Sequence, residues 1–184
     1  MGSPNQATLT IVDSAVPADP VSVATIIDPS GIGYHPVNNS LIIARSDTTG
    51  NDKNFKRLDS NGNLSDWTAL TGLGFTDDMG NQGEIKLGIA QTTANGWTQG
   101  DLYFGNSGQP GIIGKITANG TGVFTNWATL TNASQAVGET NIFLGGLYID
   151  QTGLFNGDLI VVTGSGRSVA GNRFDQRDEV RPDQ

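Results

Sequence analysis

Apolar and polar residues alternate in short runs along this chain, and no segment carries an apolar stripe at helical spacing. Ala7–Val12 alternates small or polar residues with apolar ones, and Val21–Ile27 is rich in β-branched residues. Both predict strands. Between them, Pro17 and Pro20 force extended backbone and withhold ladder donors, so residues 13–20 read as a linker. Ile32–His35 and Leu41–Ala44 flank Pro36-Val37-Asn38-Asn39, which predicts a hairpin. A second hairpin joins Phe55–Leu58 to Trp67–Leu70 across Asp59-Ser60-Asn61-Gly62-Asn63. The pattern then returns as Ile85–Ala90, Leu102–Gly105, Ile112–Thr117 and Phe124–Leu130, and begins again with Phe143–Ile149 and Leu159–Thr163. After Gly164-Ser165-Gly166 it stops. Residues 167–184 are charged and read as a disordered or poorly packed tail.

The recurrence is visible in the residues themselves. Gly100-Asp101-Leu102-Tyr103-Phe104 and Gly157-Asp158-Leu159-Ile160-Val161 match, with Ser40-Leu41-Ile42-Ile43 as a looser copy. Each follows a Gly-led stretch: Gly33-Tyr34, Gly88-Ile89-Ala90 and Gly146-Leu147-Tyr148-Ile149-Asp150. Behind the first two come Leu58-Asp59-Ser60-Asn61-Gly62 through Trp67-Thr68-Ala69-Leu70, and Ile116-Thr117-Ala118-Asn119-Gly120 through Trp127-Ala128-Thr129-Leu130. A period of about 57–61 residues signals stacked units, each needing a neighbour to bury its apolar face. The units span about 21–72, 83–132 and, incompletely, 141–166; residues 1–20 hold a tag-like start, a single strand and the Pro-rich linker.

Four-stranded antiparallel meanders at a fixed period are the blades of a β-propeller, and the expected fold is all-β, a partial β-propeller of about two and a half blades. The order of a Gly-Leu-Tyr-Ile-Asp strand, a Gly-Asp-Leu-Ile-Val-Val strand and a strand ending in Asp/Thr-x-Asn-Gly resembles NHL-like and streptogramin-lyase-like propellers. The resemblance covers about residues 21–166. It implies a propeller scaffold rather than one activity, because those proteins include hydrolases, lyases, sensors and binding scaffolds. Propellers close with about four to eight blades. The expected assembly therefore involves self-association or neighbouring blades of a longer chain.

Composition narrows the function classes. The net charge of −8 on 184 residues argues against nucleic acid and anionic membrane surfaces, which are bound through Lys and Arg clusters. Without cysteine there are no disulfides, thiolate catalysis or Cys-based metal sites. Acidic, cysteine-free chains rich in Gly, Thr and Asn fit an extracellular or cell-surface setting in bacteria.

The candidate chemistry is sparse. His35 is the lone histidine and sits in Tyr34-His35-Pro36 without an orienting partner in sequence, so it reads as a solvent-facing turn residue. The similar lyases depend on catalytic histidine, and no second one exists here. Asp59-Ser60-Asn61-Gly62-Asn63 with Asp66 has the oxygen-rich look of a calcium loop, but the spacing departs from that of an EF-hand and the second unit lacks the carboxylates. Asn-Gly turn chemistry explains both copies. Asp28, Glu84 and Glu139 each precede the first strand of their unit, which in a propeller puts them at the channel mouth, with Asn141 and Asp150 as further oxygen donors. Calcium-dependent lactonases of related shape use such a cluster, and calcium is the cofactor this set would take. Solvated acidic loops are the competing account. Asp77-Asp78 forms another acidic pair.

Trp67 and Trp127 are repeat-equivalent and read as packing between blades. Trp97 and Phe155 lie in loops between strands, where an aromatic residue serves as a ligand-stacking platform or as a lid. These features point to a non-catalytic module of a larger surface or secreted protein, binding a protein or carbohydrate ligand. A metal-dependent hydrolase or lyase completed by further blades, and a structural arm of an adhesin, are the two competing readings.

Overall fold

The computed structural model describes residues 6–11, 21–27, 29–45, 55–68, 85–105, 112–129, 141–165 and 176–180. Among them the chain is all-β, with antiparallel sheets of two to four strands and no helix. The first pair is β1 (Gln6–Ile11) with β2 (Val21–Ile27). A four-stranded meander follows: β3 (Pro29–His35), β4 (Ser40–Arg45), β5 (Phe55–Asp59) and β6 (Leu64–Thr68). The next is β7 (Lys86–Ile89), β8 (Leu102–Gly105), β9 (Ile112–Ile116) and β10 (Val123–Thr129). The last sheet holds β11 (Asn141–Ile149), β12 (Leu159–Ser165) and β13 (Gln176–Val180).

Strand period two puts alternate residues on opposite faces, so every sheet with two apolar sets needs two neighbours. Ile42, Ala44 and Phe55 of the β3–β6 sheet pack with Ile85, Ile89, Leu102, Phe104 and Ile116 of the β7–β10 sheet. The opposite face of the latter gives Tyr103 and Ile113 to a second core with Leu159 and Val161 of the last sheet. The remaining face of the β3–β6 sheet, Ile43 and Leu58 with Leu41, is covered by Ile26, Val23 and Ala24 of β2. The sheets therefore stack face to face in chain order. Along one side of the stack β7 packs against β3 and against β11. Glycine permits that approach: a Cβ on Gly33 would lie 2.8 Å from Leu87 Cδ1, and one on Gly88 would lie 3.4 Å from Leu147 Cβ. Trp67 joins the first core and Trp127 the second, the packing role their alternation predicts.

Three elements differ from the sequence reading. Val21–Ile27 does not belong to the first repeat unit; it pairs with β1, because the Leu41–Ile43–Leu58 face needs an apolar cover that the meander cannot supply itself. The strand after the Asp59 turn starts at Leu64 rather than Trp67, since a tight turn (Gly62 N–H to Asp59 C=O, 3.1 Å) returns the chain at once. Within the expected tail, Gln176–Val180 pairs antiparallel with β12. A polar edge strand satisfies the backbone ladder without an apolar alternation to announce it.

Candidate functional site

Three connections emerge at the same end of the packed strands: the β3–β4 turn, the β7–β8 loop and the β11–β12 loop. In each, a residue with positive φ lies one or two positions before the returning strand: Asn39 (45°), Gly100 (86°) and Gly157 (79°) occupy equivalent places. Two of the three are glycine, which meets that conformation without steric cost.

Side-chain amides tie the loops together. Gln91 donates from Nε2 to the Tyr34 carbonyl at 2.9 Å, reaching back to the preceding sheet. Gln151, its counterpart one sheet later, donates from Nε2 to the Thr92 carbonyl at 2.6 Å and accepts from the Gln91 N–H at 2.7 Å. Asn95 adds a hydrogen bond from Nδ2 to the Gln151 carbonyl at 3.2 Å, and Gln99 one from Nε2 to the Gln91 carbonyl at 2.9 Å. Residues 91–100 and 151–157 contain no charged side chain. The outcome is a neutral surface of amides and hydroxyls, with Leu154 77% and Val37 55% exposed beside it.

Carboxylates beneath this surface hold the loops in shape. Asp150 is buried, which opposes its charge, yet the Thr152 hydroxyl and the N–H groups of Phe155, Gly157 and Thr152 donate to it and hold its carboxyl at about 2. Asp101 pairs with Lys115 at 2.7 Å and accepts from the Ala118 N–H at 3.1 Å. Beside them, burial and then the Asp101 charge push the Tyr103 phenol above its ordinary value. Asp59 accepts from Asn63 Nδ2 and from the N–H groups of Asn63 and Asn61, which lower its pKa, so its oxygens point into the turn. Asp66 pairs with Lys56. The Asp59–Asp66 stretch is a hydrogen-bonded turn, as Asn-Gly chemistry implies.

Asp28, Glu84, Glu139 and Asp77-Asp78 lie outside the described residues. Asn141 pairs with Ser165 at the far end of β11, and Asp150 spends its oxygens on its own loop. Among the described residues no three His, Cys, Asp or Glu side chains gather as a metal group. Trp97 is 1% exposed: it packs on Tyr103 and Trp127 and donates from Nε1 to the Gly157 carbonyl at 2.8 Å, so its ring offers no open face for stacking. Phe155 is half-buried and meets the exposed Tyr148 edge-on. His35, expected to face solvent, is buried against Trp67 with ring centroids 5.5 Å apart. Burial lowers its pKa below 6.5; backbone groups of His35, Ala118 and Gly100 pull it back, and Arg57 lowers it further.

The amide staircase was missed by the sequence reading, although a signal exists. Ala90-Gln91-Thr92 and Asp150-Gln151-Thr152 place glutamine at the same offset after equivalent strands. No family model, curated protein or solved structure matches this chain.

Proposed function

We propose that the chain is a non-catalytic ligand- or protein-binding module of a larger surface or secreted protein, built from β-propeller-type blades. The observation that carries this reading is the cross-locking of three loops by Gln91, Asn95 and Gln151. Loops fixed to one another lose little conformational freedom on binding, which favours a recognition surface. Their neutral amides and hydroxyls suit an uncharged, hydrogen-bonding partner such as a glycan or a protein loop. The engagement of Asp59, Asp101 and Asp150 in structural hydrogen bonds, and the burial of His35, support a non-catalytic role. The position of β7 against both β3 and β11 supports blades whose first strands share an axis. An acidic, cysteine-free composition supports a bacterial surface or extracellular setting.

Titration with neutral hexasaccharides (cellohexaose, chitohexaose, maltohexaose) followed by amide resonances tests the surface. Shifts confined to residues 91–99 and 151–156 are expected, unchanged by chelator. Lactone or ester turnover that disappears on replacing Asp28, Glu84 or Glu139 overturns the non-catalytic reading. In this reading the chain completes its ring with further blades or a second copy. Light scattering at micromolar concentration is expected to show a dimer or larger species. A monodisperse monomer with a sharp melt removes the propeller part.

A further inference from the structure

Register equivalence between the first two four-stranded sheets exposes a difference at one place. Leu102 pairs with Ile116 in the β7–β10 sheet, and the residues just before each, Asp101 and Lys115, form an ion pair at 2.7 Å. In the β3–β6 sheet Leu41 pairs with Leu58, and the preceding residues are Ser40 and Arg57. The cation is kept; its carboxylate is replaced by a shorter hydroxyl. Diagonal neighbours on one sheet face lie within reach of a long side chain, as Lys115 demonstrates.

The polar groups left at that place lack partners. Ser40 is buried and, among the described residues, its Oγ has no hydrogen bond; the buried Nε of Arg57 has none either. Arg57 Nη2 donates to the Asn38 carbonyl at 3.5 Å, while the Asn38 N–H donates to His35 Nδ1 at 3.2 Å. The second bond leaves the proton of the neutral imidazole on Nε2, which is buried near the Gly100 and Ala118 backbone but makes no well-formed hydrogen bond among the described residues. His35 pairs directly with Ser40 across the strands, so both side chains lie on one sheet face. Asp59, the carboxylate opposite Ser40, is engaged by Asn61 and Asn63 of its own turn. A guanidinium Nε, a hydroxyl and an imidazole N–H thus share a sheet face between the first two meanders, each a donor without a well-formed hydrogen bond among the described residues. Leaving buried donors unsatisfied costs their hydration without return, which a bound acceptor recovers.

We propose that Arg57, Ser40 and His35 form a binding site for the carboxylate group of a ligand, in the place that the Asp101 side chain fills in the following sheet. The site stands independently of the loop surface above it. A carboxylate fits better than a neutral acceptor, because it sets a charge directly against Arg57, adding to the more distant attraction of Asp59, and brings enough lone pairs for several donors.

Acetate, which is the Asp side chain without its backbone, is the probe, and N-acetylglycine tests a peptide C-terminal carboxylate. Both are titrated against sodium chloride of matched ionic strength. His35 is the only histidine, so its ring resonances report the site without assignment. A saturable shift with acetate or N-acetylglycine is expected, retained in Arg57→Lys and lost in Arg57→Met and in Ser40→Asp. Response to N-acetylglycine alone identifies a peptide terminus as the ligand; response to both identifies a free small carboxylate. Ser40→Asp is also expected to melt above the parent protein, since it rebuilds the Asp101–Lys115 pair in the first sheet. An equal shift in chloride, no shift with either carboxylate, binding that survives Arg57→Met, or a lower melting temperature for Ser40→Asp overturns the proposal.

Discussion

Asp150 accepts five hydrogen bonds from the loop that follows it, two from Thr152 and one each from Gly153, Phe155 and Gly157. Its carboxyl is held at about 2 against an ordinary 3.8, so the folded state binds a proton less readily than the unfolded chain. The stabilisation is complete above the unfolded value and drains away as pH falls from about 4 to about 2. Asp59 acts in the same direction. Asp150→Asn is therefore expected to lower the urea midpoint at pH 7 and to flatten its fall across that acid window; an unchanged midpoint means the loop does not depend on the carboxylate. His35 has a linkage of the same sign in a higher pH window. Its folded pKa lies below 6.5, so the unfolded chain takes up the proton first and stability declines as pH drops below 6.5. Melting temperatures between pH 7.5 and 5.5 are expected to fall in the parent and to fall less in His35→Gln. The sequence offered little warning of either residue. Trp97 and His35 occupy loop and turn positions that look exposed, and aromatic residues of their own sheets together with backbone of the next sheet bury both. The glutamines were legible in principle, because their offset within the repeat is fixed.

Elements whose apolar residues alternate were legible because the alternation is itself the cause of burial. The β4 run Leu41-Ile42-Ile43-Ala44 splits into two faces, Ile42 and Ala44 in one core and Ile43 in another. What alternation does not encode is the partner. β2 carries β-branched residues that suit any sheet, and its pairing with β1 follows from the need to cover Leu41, Ile43 and Leu58. β13 is held by backbone hydrogen bonds, which leave no signature in side-chain chemistry. If β2 is a cover rather than a tether, truncating Ile26, 4% exposed, removes apolar contact from the whole first face. Ile26→Ala is expected to cost about 2–5 kcal/mol, as buried large-to-small changes do. A chain starting at residue 29 is expected to bind a hydrophobic dye through that uncovered face. A loss below about 0.5 kcal/mol for Ile26→Ala, measured by urea denaturation, would mean that β2 merely lies nearby.

Among the described residues the cores are strung in a line, each built between sheets that follow one another in the chain. Such stacks behave as units of intrinsic stability joined by interface terms, so the ends open before the middle. The β7–β10 sheet is buried on both faces, through Leu102 and Phe104 on one side and Tyr103 and Ile113 on the other. The last sheet gives Leu159 and Val161 to the second core, while Tyr148 stands 50% exposed where the preceding sheets have Gly33 and Gly88. Hydrogen exchange is therefore expected to be slowest in β8 and β9 and faster in β11 and β12. Leu159→Ala deepens the contrast: a loss of about 2–5 kcal/mol falls on the second interface, which that leucine fills. Exchange in β11 and β12 should accelerate strongly, exchange in β4 and β5 should barely change, and Trp67, which sits in the first core, should keep its native environment. Equal acceleration in β4, β5, β11 and β12 would show a single cooperative unit and rule out the linear coupling that this stack implies.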